Sequence, residues 1–381
     1  MNLPGAKPIA APGWTAKPKQ SISLIDCDVH QVPHNREDLI PYLPRAYQER
    51  VADYGFPLLN SGYLNVAGRA ARTDLAEKFN QEDHHGGNQN WAYQRLRDYH
   101  LDVWNIEFAL LTGETLYTAS VIPDPDFSSA LCSAANDWSR ENWTSLDKRL
   151  KLALATSCSD PDLAVREVNR LGEHTDVVAI VLPTGAQIPY GNRFYHPIWQ
   201  ACQEHGLVVC IHPGAEGTGM VGAPTGVGFP TYYMENRAAR ASMAMAHCTS
   251  LICEGVFERF PELKFAVLEV DQYWVPGFLW KMDADWKSLR EQTPWVKKLP
   301  SEYFRQHIRV GSQPFAEPER RVDLMGLLEE MHAEETLLYC SDWPHFDWDD
   351  PVTTLPTLSP ELHQRIFVDN ARELFGLGND S

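Results

Sequence analysis

The chain has 381 residues, a hydrophobic content of 44% and a formal net charge of −18. This hydrophobic content is typical of a globular protein with a sizeable core, which argues against disorder over the whole chain. The acidity, and the absence of any Lys/Arg cluster longer than a pair, argue against nucleic acid and anionic membranes as partners, because both require a basic surface.

The eight cysteines indicate a reducing compartment. None belongs to a C-x-x-C pair, which argues against a zinc ribbon and against a redox motif. Most lie inside apolar runs, as buried free thiols do. Residues 1–20 lack the apolar stretch of a signal peptide and are predicted to form a flexible arm. No segment approaches the roughly 18 apolar residues of a membrane span. We therefore expect a cytoplasmic protein.

Eight short apolar runs alternate with amphipathic segments. The runs are rich in Val, Ile, Leu and Phe without strict alternation, which is typical of parallel strands covered on both faces. The predicted strands are 24–29, 106–111, 152–156, 177–182, 207–211, 265–268, 308–310 and 336–339. The predicted helices are 130–146, 161–171, 197–205, 235–259, 275–290, 319–331 and 360–375. Pro161 and Pro360 stand at predicted helix starts, and Gly172, Gly206 and Gly376 stand at predicted helix ends.

This repeat predicts an α/β fold, a (β/α)8 TIM barrel with an insertion after strand 1 and a Gly/Pro-rich lid after strand 5. Residues ~31–105 separate the first two strands and are far longer than an ordinary βα loop. We interpret them as an insertion that folds over the barrel mouth. Residues 213–234 hold six Gly and three Pro and are predicted to form the lid. Residues 21–381 are thus predicted to form one barrel domain.

Polar side chains stand where the predicted strands end. Asp28 and His30 lie at the end of the first strand, His212 follows the fifth, Glu269 the sixth and Asp342 the eighth. The carboxyl ends of parallel barrel strands meet on one face, where active sites of this fold are built. Carboxylates and imidazoles gathered there would be costly to hold together without a cation. Nitrogen and oxygen ligands without thiolate predict one divalent metal ion, such as zinc, manganese, iron or cobalt.

Longer motifs accompany these residues. They are I-D-C-D-V-H (25–30), P-Y-L-P (41–44), G-N-R-F-Y-H-P-I-W (191–199), I-H-P-G (211–214), G-V-F-E-R-F-P-E-L-K (255–264), S-D-W-P-H (341–345) and D-N-A-R-E-L-F-G (369–376). In this order they resemble the amidohydrolase superfamily, in the amidohydrolase-2 branch that includes aminocarboxymuconate-semialdehyde decarboxylase, over nearly the whole chain. The resemblance implies that Asp28, His30, His212 and Asp342 are metal ligands.

One position departs from that branch and leaves several functions open. Its decarboxylases have a His after the sixth strand, where this chain has Glu269, which would serve as a general base or an additional metal ligand. The first hypothesis is a metal-dependent hydrolase or decarboxylase of a small organic acid, amide or lactone. The second is an oxygenase that hydroxylates a small amino or carboxylic acid with a dinuclear Fe/Mn pair. The third is a non-catalytic subunit that partners a related chain.

The first hypothesis assigns roles to individual side chains. The metal would polarise a carbonyl or carboxylate and lower the pKa of a bound water. Asp342 or Glu269 would accept the proton of that water, and His345 would orient a ligand or donate to the substrate. Weaker candidates for substrate binding are Arg193, Arg237 and His247.

The expected partners are a small-molecule substrate and other protein chains. The chain contains 12 Trp, 14 Tyr and 15 Phe, more aromatic side chains than a core alone requires. This surplus and the resemblance imply a homodimer or a larger assembly. A hetero-oligomer with a paralogous chain is the alternative.

Overall fold

Eight parallel strands, hydrogen-bonded in chain order, form the centre of the structure. The structure is a computed structural model, and it describes residues 23–31, 33, 36–56, 91–113, 117–345, 347–352, 354–355 and 358–378. The strands are β1 Leu24–Val29, β2 Ile106–Leu111, β3 Leu150–Ala155, β4 Val177–Pro183, β5 Val208–His212, β6 Phe265–Val267, β7 Ile308–Gly311 and β8 Leu337–Leu338. Nearly all their residues are buried, as in a parallel sheet covered on both faces. The predicted barrel is confirmed, and each predicted strand overlaps an observed one.

Helices connect the successive strands. In the described part of the chain the α-helices are α1 Arg45–Tyr54, α2 Trp91–Leu96, α3 Pro125–Ser139, α4 Pro161–Leu171, α5 His196–His205, α6 Tyr233–Cys253, α7 Val256–Arg259, α8 Val275–Leu289, α9 Pro300–His307, α10 Arg321–Glu330, α11 Ala333–Thr336, α12 Pro360–Gln364 and α13 Asn370–Phe375. π-helical turns are Arg97–Leu101, Arg140–Thr144 and Arg365–Asp369, and 3-10 helices are Arg36–Tyr42, Tyr117–Val121, Arg193–Tyr195 and Arg290–Gln292. The predicted helix 235–259 is two helices, because Gly255 between them adopts a φ of 72°.

The helix ends follow the local chemistry of the sequence. The Asp160 carboxylate accepts hydrogen bonds from the first-turn amides of α4, and Pro161 occupies that turn. Gly172, Gly206 and Gly376 are the C-cap residues of α4, α5 and α13, as predicted. The proline at the start of α4 and the three glycines therefore predict these helix ends correctly.

The barrel closes between β8 and β1 through individual hydrogen bonds, whereas continuous ladders join the other neighbouring strands. We call this junction, formed by residues 27–30 and 339–343, the seam. The amides of Cys27, His30 and Asp342 donate to the carbonyls of Tyr339, Trp343 and Asp28 over 3.0, 2.8 and 3.0 Å. Since β8 has only two residues, these bonds set the distance between the first and last strands.

Several sequence predictions concern segments that the structure describes only in part. Residues 1–20 and 57–90 lie outside the described residues, so the flexible arm and the insertion over the mouth stay predictions. Residues 213–234 are described and expose Val227 and Phe229, but their role as a lid stays a prediction. Among the described residues, no helix combines the length and the hydropathy needed to cross a bilayer.

Two glycines provide a matched test of the packing around the barrel. A Cβ at Gly191 would overlap the backbone carbonyl of Ser250, whereas a Cβ at Gly326, inside α10, meets no atom within 4 Å. We expect Gly191→Ala to lower the free energy of unfolding by about 1–3 kcal/mol through overpacking. Gly326→Ala should raise it by about 0.5–1 kcal/mol, because alanine loses less backbone entropy in a helix. Urea unfolding of both variants checks this, and a Gly191→Ala protein as stable as the wild type would contradict it.

Candidate metal centre

The strand ends bring Asp28, His30, His212, Glu269 and Asp342 into one buried group, which we call the cluster. His30 Nε2 lies 2.8 Å from Asp342 Oδ1 and 3.5 Å from Asp28 Oδ1. His212 Nε2 lies 3.3 Å from Asp28 Oδ2 and 3.3 Å from Glu269 Oε2. All five residues are at most 6% exposed. The residues that the sequence places at four different strand ends therefore meet in space.

Hydrogen bonds at Nδ1 direct the Nε2 atoms of both imidazoles into the cluster. His30 Nδ1 donates to the carbonyl of Gly113 over 2.6 Å, and a carbonyl can only accept. His212 Nδ1 donates to the Tyr117 hydroxyl over 2.7 Å, and this hydroxyl donates in turn to the carbonyl of Pro213. With the proton on Nδ1, each Nε2 presents a lone pair, which is the form of histidine that binds metals.

Four polar atoms of the cluster are buried and have no hydrogen-bond partner among the described residues. They are Asp28 Oδ2, His30 Nε2, His212 Nε2 and Asp342 Oδ2. Each such atom costs about 1–3 kcal/mol when its partner is missing. The lone pair of His30 Nε2 also faces the Asp342 carboxylate, which is repulsive unless positive charge lies between them. Two nitrogen and two oxygen atoms fit a divalent transition metal, so this donor set suits the predicted ion.

The described residues contain two groups whose ligand atoms lie within 4.8 Å of one another. One group is Asp28, His30 and His212, and the other is His30, Asp342 and His345. Glu269 belongs to neither group, so its role as a metal ligand stays a prediction. His345 contacts the cluster directly, because its Nδ1 lies 2.6 Å from Asp342 Oδ1.

The electrostatics of the cluster favour ionised carboxylates. Burial alone would raise the pKa of Asp28, but the His212 and His30 imidazoles and a hydrogen bond from Thr112 hold that pKa below its ordinary value. Burial would likewise raise the pKa of Glu269, but Arg240 and His212 lower it. Burial opposes a charged His212, yet Asp28 and Glu269 raise its pKa to about 9, so Nε2 of His212 holds a proton at neutral pH unless a metal ion takes its place. The cluster therefore attracts positive charge at neutral pH.

Two residues of the cluster have an uncommon backbone conformation. Glu269 and Asp342 adopt φ values of 50° and 61°, in the left-handed region that non-glycine residues rarely occupy. Such conformations cost on the order of 1–3 kcal/mol and persist where the surrounding structure fixes them, often at functional sites. In this chain they turn two carboxylates toward the barrel mouth.

Arg240 is a residue of the site that sequence reasoning missed. Its guanidinium is buried, pairs with Glu269 Oε1 and donates to the Tyr233 hydroxyl over 2.9 Å. The Nη1 atom of Arg237, a predicted substrate-binding residue, lies 2.5 Å from Asp347 Oδ2. The two arginines are three residues apart on α6, so they share a face of the helix. That spacing was the signal that could have identified Arg240.

The other two candidates for substrate binding are placed differently. Arg193 is exposed on the turn Arg193–Tyr195, and its described contacts do not reach the cluster. His247 is buried, its Nδ1 accepts from the amide of Tyr190 and its Nε2 donates to the carbonyl of Thr184. Since both ring nitrogens have backbone partners, we assign His247 to the packing of the β4 loop and not to substrate binding.

Comparisons with known proteins agree with this barrel. Residues 25–377 match the amidohydrolase family. The chain is 22% identical over 276 residues to gamma-resorcylate decarboxylase from Polaromonas sp. (strain JS666 / ATCC BAA-500), an alignment that covers 67% of this chain and 79% of the relative.

Two solved structures share the fold over most of their length. An amidohydrolase from Mycobacterium avium subsp. paratuberculosis K-10 matches with a TM-score of 0.67 and 20% identity, over 94% of this chain and 100% of that one. A 5-carboxyvanillate decarboxylase from Novosphingobium aromaticivorans DSM 12444, complexed with manganese and 4-hydroxy-3-methoxy-5-nitrobenzoic acid, matches with a TM-score of 0.65 and 18% identity, over 94% and 97%.

Removal of one ligand atom tests the metal centre. We expect the purified wild-type protein to contain one divalent ion per chain and Asp28→Asn to contain a small fraction of that amount, because the variant lacks the anionic Oδ2 atom. Elemental analysis measures both. Asp176→Asn is the control, since the Asp176 carboxylate pairs with Arg140 and directly precedes β4, at the end of the barrel opposite the cluster. Equal metal contents in wild type and Asp28→Asn would contradict the assignment.

The role assigned to His247 predicts a pH dependence of stability. Burial lowers the pKa of His247 to about 4, whereas an unfolded His titrates near 6.5. Below about pH 6.5 the unfolded chain therefore binds a proton that folded His247 does not, and stability falls as the pH falls. The stability difference between wild type and His247→Gln should be largest above pH 7 and should narrow toward pH 5 in urea unfolding. A difference that is independent of pH would refute the assignment.

Proposed function

Because the chain belongs to the amidohydrolase family, we propose that it is a metal-dependent decarboxylase of an aromatic carboxylic acid. The observation that carries this proposal is the convergence of four buried, unpartnered ligand atoms at the barrel mouth. The gamma-resorcylate decarboxylase relative and the manganese-bound 5-carboxyvanillate decarboxylase support this reaction type and manganese as the ion.

Decarboxylation is favoured over the alternatives that the sequence left open. The relatives named for a particular substrate are decarboxylases, and none of those described above is named as an oxygenase or a non-catalytic subunit. A dinuclear Fe/Mn pair would also need more carboxylate ligands than a single ion, and Glu269 is the remaining carboxylate of the cluster. One oxygen of Glu269 is paired with Arg240 and the other contacts His212, which leaves little capacity to bridge a second metal ion.

The residues of the cluster have two roles, metal binding and proton transfer, and Asp342 takes part in both. Asp28, His30, His212 and Asp342 would hold the ion, which when bound supplies positive charge that neutralises the carboxylate of the substrate. In the reaction the bond between the ring carbon and the carboxyl carbon breaks, carbon dioxide leaves, and a proton takes its place on the ring carbon. The chain must therefore provide one proton at the ring in each turnover.

Asp342 and His345 form the pair that supplies this proton. Their contact of 2.6 Å allows a proton to be shared, and the His345 side chain is 18% exposed, so it can recover a proton from solvent. Arg237 lies nearby at the mouth, 22% exposed, where a guanidinium attracts an anionic substrate to a protein of strongly negative net charge.

Variants of this pair test the proposed chemistry. With 2,6-dihydroxybenzoate or 5-carboxyvanillate as probes, we expect release of carbon dioxide without consumption of oxygen. His345→Asn should retain its metal ion and lower kcat by about 10²–10⁴-fold, the usual contribution of general acid catalysis. Asp342→Asn should abolish turnover while the barrel stays folded. The assay is carbon dioxide release, with circular dichroism and metal content measured on each variant.

The control for these variants is Arg193→Gln, which changes an exposed side chain away from the cluster and should keep the wild-type rate. Substantial turnover by Asp342→Asn would contradict the role assigned to Asp342. Oxygen consumption, or no carbon dioxide from any hydroxylated benzoate, would count against decarboxylation itself.

A further inference from the structure

A second buried acid–base pair lies beside the cluster and has no part in the mechanism above. Asp26 and His100 are both 0% exposed, and His100 Nε2 lies 2.7 Å from Asp26 Oδ2. The other oxygen, Asp26 Oδ1, accepts from the amide of Ser341 over 2.9 Å and from the amide of Asp28 over 3.2 Å. One carboxylate thus contacts the backbone on both sides of the seam.

The seam is where the geometry of the metal ligands is least supported by regular structure. Asp28 and His30 lie on its β1 side, and Asp342 lies on its β8 side. Because β8 has only two residues and no continuous ladder to β1, a few hydrogen bonds fix the ligands from the two sides relative to each other. The bond from the Ser341 amide to Asp26 Oδ1 is one of them, and the bond from the Asp28 amide to the same oxygen fixes the position of the Asp26 carboxylate beside Asp28 within β1.

His100 contacts both sides of this arrangement. It belongs to the π-helical turn Arg97–Leu101, and its ring stacks on Trp343, the residue after Asp342, with centroids 5.4 Å apart and an interplanar angle of 18°. The ring also packs edge-to-face with Trp348, with ring centroids 5.9 Å apart. The imidazole therefore contacts the Asp26 carboxylate on the β1 side and an aromatic ring that follows a ligand on the β8 side.

We propose that Asp26 and His100 are positioning residues of the metal centre, which hold the two sides of the seam at the separation that lets Asp28, His30 and Asp342 bind one divalent ion. Residues that orient metal ligands from outside the ligand shell typically change metal affinity by about 10–100-fold when they are mutated. The proposal requires the metal site described above but does not require decarboxylation.

The test is a manganese titration of the metal-free, full-length protein, in which the electron paramagnetic resonance signal of free Mn²⁺ reports the Kd. We expect His100→Gln to raise the Kd for Mn²⁺ by about 10–100-fold. Asp26→Asn, which keeps an oxygen acceptor for the two amides, should raise the Kd less than Asp26→Ala, which removes all three contacts. The spectrum of the bound ion should also change in His100→Gln, because the ligand geometry changes.

The matched control is His307→Gln. His307 is also buried, and its Nδ1 donates to the carbonyl of Leu263 over 3.0 Å. Its ring stacks on Phe257, with ring centroids 4.4 Å apart. It precedes β7 and so lies at the end of the barrel opposite the cluster. Urea unfolding of the metal-free proteins should show comparable losses of stability in His100→Gln and His307→Gln, while only His100→Gln loses manganese affinity.

Each outcome decides the proposal. A wild-type Kd in His100→Gln, or in both Asp26 variants, would overturn it, and so would an equal loss of affinity in His307→Gln. If His100→Gln does not fold, the proposal is decided by the Kd values of the two Asp26 variants, of which Asp26→Ala should have the higher. A wild-type protein that binds Mn²⁺ with the expected variant pattern but releases no carbon dioxide would support this proposal and defeat the proposed function alone.

Discussion

Lone pairs that face one another in a buried site impose the central constraint on this structure. His30 and His212 both donate from Nδ1 to neighbouring oxygens, so their Nε2 atoms point at the carboxylates of Asp28 and Asp342, and a proton or a metal ion is needed between them. In a low-dielectric interior this arrangement is unfavourable, and a divalent cation converts it into a favourable one. The hydrogen bonds outside the cluster serve this geometry, including the one that His212 Nδ1 donates to the Tyr117 hydroxyl, which fixes the tautomer of His212.

The same strands close the barrel and carry three of the proposed metal ligands. The seam between β8 and β1 carries Asp28, His30 and Asp342, and it is held by individual hydrogen bonds in place of a ladder. The left-handed backbone at Asp342 is part of this irregular closure. Irregular backbone allows carboxylates to turn inward at positions where a regular strand would direct alternate side chains to opposite faces.

Glu269 distinguishes this mouth from the pattern of the decarboxylase branch, in which a His is expected. Its partner Arg240 and the neighbouring Arg237 place two cations at the mouth of a protein of net charge −18. Further carboxyls surround them, and burial raises the pKa of Asp271 to about 6 and that of Asp347 above its ordinary value. The mouth is thus a region of paired charges beside the cluster, in which each of the two guanidinium groups contacts a carboxylate.

The sequence by itself determined the eight strands, the helix ends at Gly172 and Gly206, and the strand-end residues that meet in the cluster. These features are local, because apolar periodicity, helix caps and strand ends depend on residues that are close in sequence. Parallel barrel topology then brings all strand ends to one face. Only the tertiary structure decided the pairs Glu269–Arg240 and Asp26–His100, 29 and 74 residues apart, and the packing role of His247. Such partners depend on how helices and loops are rotated against the barrel, and packing of the whole chain sets that rotation.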